Sequence, residues 1–202
     1  MTAFKSPRLW LFVWAGLGAA LVLYVMIAAS VKPGTGDAAA PLHDVSLLKG
    51  EMAEFAFAVP AREAPVIAFE HDGREVTLAD FRGRTILVNF WATWCAPCVK
   101  ELPSLDALQA DFGERGFEVV AIATGPQGKE TPAAFLERLG VTNLKRYADP
   151  RLRLAASIGG GSVLPVSILY DARGREIGRL VGEADWASPE ARRLIERAIA
   201  ES

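Results

Sequence analysis

An apolar run from Thr85 to Trp91 leads, after Ala92-Thr93-Trp94, into Cys95-Ala96-Pro97-Cys98, where a helical pattern begins and extends to about Arg115. A strand that is apolar on both faces must be covered by helices on both sides, so the run predicts an α/β sheet. The cysteine pair then sits at the tip of the helix leaving that strand. Unpaired amide hydrogens and the positive end of the helix dipole favour an anion there, which predicts a lowered thiol pKa and makes Cys95 the expected nucleophile. Cys98 lies one turn on, on the same side. It can attack a mixed disulfide on Cys95 and release the reduced partner, the second half of a dithiol exchange.

Two other uses of the pair are weaker. A structural disulfide closing so short a loop would contribute only about 2 kcal/mol on the chain-entropy model. A metal site would need further soft ligands, and the remaining candidates are His43, near a linker, and His71, in a turn. No cofactor beyond a Cys95-Cys98 disulfide and no metal is expected. With 22 basic and 24 acidic side chains the net charge is -2, so the chain has no global positive field with which to hold nucleic acid.

Hydrophobic residues make up 51% of the chain, and the excess lies near its start: no charge occurs between Arg8 and Lys32. As a helix, the 23 residues from Leu9 to Val31 would reach about 34 Å, against about 30 Å of bilayer hydrocarbon. Trp10, Trp14 and Tyr24 lie toward the ends of the stretch, where amphipathic rings favour the interface. Lys5 and Arg8 precede it, which predicts a cytoplasmic N-terminus and an exported remainder. A cleaved signal peptide is the competing expectation, but its apolar region would be shorter, about 7 to 15 residues. Residues 1–31 are therefore expected to form a transmembrane signal anchor contacting lipid through residues 9–31.

Residues 32–60 are expected to be a linker, KPGTGDAAAP at its start, followed by a short amphipathic helix between Asp44 and Phe57. Residues 61–202 then alternate. A hairpin turns at His71-Asp72-Gly73 between strands 66–69 and 75–78. The strand and helix around the cysteines follow, then a strand at Phe117 to Ala123 and a helix near Pro132 to Leu139. A short helical stretch around Leu152 to Ile158 precedes a second hairpin, Val166 to Tyr170 and Glu176 to Val181. A last helix is opened by Ser188, Pro189 and Glu190. Pro103 should kink the long helix. Glu101 lies one turn beyond Cys98, where a solvated surface charge is the common fate of a helical glutamate. Gly159-Gly160-Gly161 has no following Lys-Ser/Thr and reads as a connection rather than a phosphate cradle. Pro165 at a strand start predicts a cis bond or an edge position.

From about residue 62 to 200 the chain resembles the thioredoxin-fold domains, and among them the membrane-anchored TlpA/ResA-type thiol-disulfide oxidoreductases. The likeness rests on Leu78-Ala-Asp-Phe-Arg-Gly83, on Ile86 through Cys98, on Glu101-Leu-Pro103 and on Leu164-Pro165. Glu183-Ala-Asp-Trp-Ala-Ser188 is similar to TlpA proteins in particular. It implies a thioredoxin-like fold with an added N-terminal hairpin, with Trp94, Ala96 and Pro97 framing the dithiol. It also implies a cis Leu164-Pro165 bond facing the cysteines, where the backbone of Leu164 would pair with an extended substrate. The implied setting is the periplasmic side of a bacterial inner membrane, with a membrane thiol-electron transporter as the electron source. The implied substrates are cysteines of cytochrome oxidase copper-site assembly, in the oxidase subunit or its copper chaperone, or the haem-site cysteines of apocytochrome c.

Two positions depart from the pattern. The buried aspartate that thioredoxins carry in the strand before the motif is Asn89 here, and Ala123-Thr124-Gly125 offers no carboxylate where ResA-like proteins have one. Water, or Glu101 if it leans inward, would then take the Cys98 proton. Ala96-Pro97 has no histidine or charge to hold the thiolate, which predicts a potential of roughly -270 to -200 mV and a reductant. A copper chaperone on the same fold would need a histidine downstream of Cys98, and none occurs. The Thr-x-x-Cys arrangement of a peroxidase is absent around Cys95.

Overall fold

A computed structural model describes residues 44–159 and 163–202. Eight strands form one sheet in the order β1-β8-β7-β4-β5-β6-β2-β3. They are β1 (Ala56–Phe57), β2 (Phe69–His71), β3 (Arg74–Val76), β4 (Thr85–Trp91), β5 (Phe117–Thr124), β6 (Tyr147–Asp149), β7 (Val166–Tyr170) and β8 (Glu176–Val181). Strands β4, β5 and β6 run parallel to one another, while β7 pairs antiparallel with β4 and with β8. Among the described residues the α-helices are α1 (Ala96–Phe112), α2 (Pro132–Arg138), α3 (Arg153–Ser157) and α4 (Pro189–Ala200).

Every residue of β4 and β5 is buried, and alternate residues feed two cores. Leu87 and Trp91 of β4 and Val119, Ala121 and Ala123 of β5 pack with α1, α2 and α4. Ile86, Val88 and Phe90, with Val120 and Ile122, pack with α3, Leu78 and Phe81 on the other face. The sheet is thus covered on both sides, as the apolar run of β4 demands. Helix α4 starts as its sequence predicts: Ser188 accepts a hydrogen bond from the Ala191 amide, and Pro189 follows at the first helical position.

Several expectations need correction. Residues 44–57 do not form an amphipathic helix. Two 3-10 turns, Val45–Leu47 and Gly50–Met52, are separated by a break, and Gly50 takes a left-handed φ of 52° that an α-helix cannot continue through. Met52 and Phe55 are nonetheless fully buried in the first core, each contributing about 1.5–3 kcal/mol. Strand β1 joins the sheet beside β8, where Gly178 permits the approach. A Cβ there would stand 2.5 Å from both the Ala56 carbonyl oxygen and the Phe55 ring. The first hairpin is shorter and shifted, its strands being β2 and β3, and Leu78–Phe81 is a 3-10 turn with a Thr77-Asp80 capping box. Helix α1 continues through Pro103 but ends at Phe112, short of Arg115. Strand β6 was not anticipated, because three residues ending in Asp149 carry no local signal; β5 on one side and β2 on the other hold it in the sheet.

The expected transmembrane stretch, residues 9–31, lies outside the described residues. Among the described residues no helix is long and apolar enough to cross a membrane.

Candidate active site: a disulfide above a buried carboxylate

Strand β4 delivers the chain to the C-terminal edge of the sheet, and Cys95 becomes the N-cap of α1, with Pro97 in the first turn where a missing amide hydrogen costs nothing. Cys95 and Cys98 are joined, with S–S 2.08 Å and Cα–Cα 5.3 Å. The Cys98 amide points back at the Cys95 sulfur, 3.4 Å away. That is the local polarity that favours a thiolate on Cys95 once the bond is opened. The two sulfurs differ in access: Cys95 reaches the surface at 6% exposure and Cys98 at 0%. Ala96 and Pro97 are exposed, and Trp94 stands 64% exposed beside them with its indole N–H donating to the Pro126 carbonyl at 2.9 Å. The Leu164-Pro165 peptide is cis, and Leu164 lines, together with Trp94 and Cys95, an apolar slot.

Glu101 is 2% exposed, not solvated. One carboxylate oxygen accepts from Asn89 Nδ2 at 2.6 Å; the other accepts from the Ala184 amide at 3.3 Å and the Trp186 indole at 3.4 Å. No cation pairs with it among the described residues, since the neighbouring Lys100 is committed to Glu183 at 2.5 Å. Burial pushes the carboxyl up to about 7, and the hydrogen bonds from Asn89, Ala184 and Trp186 pull the other way without cancelling it. Glu101 also borders a cavity of about 440 Å³ rimmed by Glu51, Glu183 and Asp185, which gives its proton a way to solvent.

Sequence reasoning missed the residues that hold this carboxylate. Asn89 occupies the place of the thioredoxin aspartate, and Nδ2 of its fully buried amide bridges Glu101 and Ser167 at 2.6 and 2.9 Å. Ser104 Oγ accepts from the Trp186 amide at 3.0 Å and donates to the Glu101 carbonyl at 2.8 Å, fixing the 183–188 segment against α1. A signal existed: Glu101 stands three residues after Cys98 and four before Leu105, on the inward face of α1. Gln127 is another unforeseen support, accepting from the Thr93 amide and donating to the Thr124 and Gly125 carbonyls, which ties the β5–α2 loop to the cysteine turn.

A family model described as Redoxin matches residues 58–195. The chain belongs to the Redoxin family. Among curated redoxin-like relatives it is 32% identical over 130 residues to the thiol-disulfide oxidoreductase ResA of Bacillus thuringiensis subsp. konkukian, covering 60% of this chain and 69% of that protein. It is 37% identical over 131 residues to the thiol:disulfide interchange protein HelX of Rhodobacter capsulatus, covering 62% and 69%. A solved structure of a putative thiol:disulfide interchange protein DsbE from Chlorobium tepidum superposes with a TM-score of 0.60 at 27% identity, over 69% of this chain and 96% of that one. This redoxin is a thioredoxin-like thiol-disulfide oxidoreductase, with Cys95 and Cys98 as its CxxC pair.

Proposed function

We propose that the protein works as a reductant of disulfides in partner proteins, with the Cys95-Cys98 couple as its only redox group. The observation that carries this is the asymmetry of the site: a nucleophile at the rim, a buried partner sulfur, and a carboxyl on the same helix face that changes protonation near neutrality. In the reduced state the Cys95 thiolate attacks one sulfur of a partner disulfide. A mixed disulfide forms and the other partner sulfur leaves as a thiolate. Cys98 then gives its proton to the Glu101 carboxylate, directly or through water, and attacks Cys95. The second partner sulfur departs, and the two electrons of the dithiol have passed to the partner.

The direction of flow is tested by the midpoint potential. Titration against glutathione should place the couple at roughly -270 to -200 mV, because nothing charged at Ala96-Pro97 stabilises the thiolate further; a value near -120 mV would make the protein an oxidant instead.

The partner reading is cysteines of cytochrome oxidase copper-site assembly, in the oxidase subunit or its copper chaperone. It is supported by the Glu183–Ser188 run, the part of the likeness particular to TlpA proteins, whose Ala184 amide and Trp186 indole hold Glu101. Apocytochrome c is the alternative substrate for the same chemistry. In either case a membrane thiol transporter would re-reduce the couple. Residues 9–31 would anchor the protein in the inner membrane with the domain in the periplasm. Full-length protein should stay with the membrane fraction through a carbonate wash; a soluble form starting near residue 31 would overturn the anchor.

A further inference from the structure

Beside Cys95 the surface opens into a slot of about 190 Å³, below the roughly 300–1,000 Å³ of small-molecule sites and suited to a single side chain. Trp94, Leu164, Pro126 and Leu152 wall it, and no charged side chain lines it among the described residues.

Leu152 is unusual. Its φ is 57° and ψ 19°, a left-handed conformation that strains a non-glycine residue. The only other described non-glycine residue with positive φ is Asp72, in a turn. Asp149, 2% exposed, holds Leu152 there. Its carboxylate accepts the amides of Arg153, Leu154 and Ala155 at 3.0, 2.9 and 2.9 Å, and its carbonyl accepts Leu152 N at 3.1 Å. The same carbonyl accepts Gly125 N at 3.0 Å, so the Gly125 turn and Leu152 hang from one residue. Gly125 leaves the space that the leucine fills, since a Cβ there would meet Leu152 Cδ2 at 3.3 Å.

Thr124 supplies a second, independent sign. It lines the slot at 1% exposure, and its hydroxyl has no hydrogen-bond partner among the described residues. A buried hydroxyl left unpaired costs stability and calls for a partner from outside.

We propose that this slot receives the residue next to the reacting cysteine of the partner, that it selects an uncharged bulky side chain ending in one hydrogen-bonding atom, tyrosine above all, and that Leu152 and Thr124 set that choice. The inference rests on the reductase reading and adds its substrate preference. An apolar body buries against Trp94, Leu152 and Leu164, the polar tip meets Thr124 Oγ1, and a carboxylate or ammonium would be desolvated with no counter-charge.

The test uses reduced full-length protein and short disulfide-linked peptides in which Tyr, Phe, Asp or Lys precedes the cysteine in one series and follows it in another. In at least one series tyrosine should react about tenfold faster than aspartate. Leu152→Gly, which keeps the backbone conformation, should shrink that ratio to about threefold or less. Thr124→Val should erase the preference of tyrosine over phenylalanine while keeping phenylalanine over aspartate. Leu152→Asn, also tolerant of left-handed φ, serves if the glycine variant does not fold. Ratios are read within each variant, so general damage cancels. Equal rates for all peptides, or a tyrosine-to-aspartate ratio untouched at position 152, would overturn the slot; an unchanged tyrosine-to-phenylalanine ratio in Thr124→Val would overturn the role of the hydroxyl. Hydroxyethyl disulfide, which has no side chain to place, separates the two readings: failure of the wild type to reduce it removes the reductase reading and the slot with it, whereas its reduction without any peptide preference removes the slot alone.

Discussion

Cys98→Ser is expected to stop turnover and leave Cys95 covalently attached to its partners. The serine hydroxyl cannot displace the partner sulfur, so the first exchange proceeds and the second does not. Steady-state disulfide reduction should fall at least about a thousandfold, as it does when a residue acting in sequence with a nucleophile is removed. Non-reducing gels of envelope proteins should show new adducts that vanish on adding dithiothreitol and do not form in a Cys95→Ser, Cys98→Ser double variant. Mass spectrometry of the adducts then decides between an oxidase copper-site subunit, its copper chaperone and apocytochrome c. Turnover close to wild type, or no adduct from an oxidised envelope, would contradict the proposed order of attack. The burial difference makes the reverse order hard, because Cys98 has no surface at which a protein disulfide could reach it.

Glu101→Gln should have the next largest effect, and opposite signs on rate and stability. If Glu101 takes the Cys98 proton, release of the mixed disulfide should slow about a hundredfold, within the range typical of general base catalysis. In the wild type the release rate should rise with pH through about 7 as the carboxyl ionises, and in the variant that inflection should be gone. Unchanged exchange rates would remove Glu101 from the mechanism.

The stability effect follows from the raised pKa. The folded carboxyl titrates near 7 and the unfolded one near its ordinary value of 4.5, so between these limits the native state holds the proton more tightly. Stability is therefore full below the unfolded value and falls as pH climbs to about 7, by on the order of 3 kcal/mol at about 1.4 kcal/mol per pH unit. Glutamine has no charge to desolvate and should lack this slope. Its amide must face donors that now point at carboxylate oxygens, but Asn89 Oδ1 is buried without a partner, and a half-turn of the Asn89 amide would let it accept from the new N–H. Urea unfolding at pH 8 should then find the variant more stable by about 1–3 kcal/mol. A wild-type profile flat between pH 4.5 and 7 would refute the coupling.

Much of this architecture was legible because it is written locally. The apolar run of β4, the cysteine spacing at a helix start and the Ser188-Pro189-Glu190 opening of α4 each carry their own physics within a few residues. Long-range pairing hid the rest. Strand β6 is held by β2 and β5, both well before it in the sequence, and the break at Gly50 overrides an apolar spacing that otherwise suits a helix. Burial of Glu101 depends on Asn89, Ala184 and Trp186, which are distant in sequence. The departure from the thioredoxin pattern at Asn89 was visible, but its consequence was not. At Asn89 the strand carries an amide, and the buried carboxylate it contacts stands on α1.

The wall built by Asp149 bears on how such proteins can diverge. It belongs to the β5–α2 loop and the turn before α3, while the sulfurs and Glu101, the proposed proton acceptor, belong to α1. Under the proposed selection, choice of partner draws on residues outside the helix that carries the sulfurs, joined to the cysteine turn through Gln127 and Trp94. A lineage could acquire a new client through changes at positions 124 and 152, leaving the couple and its supply of electrons as inherited.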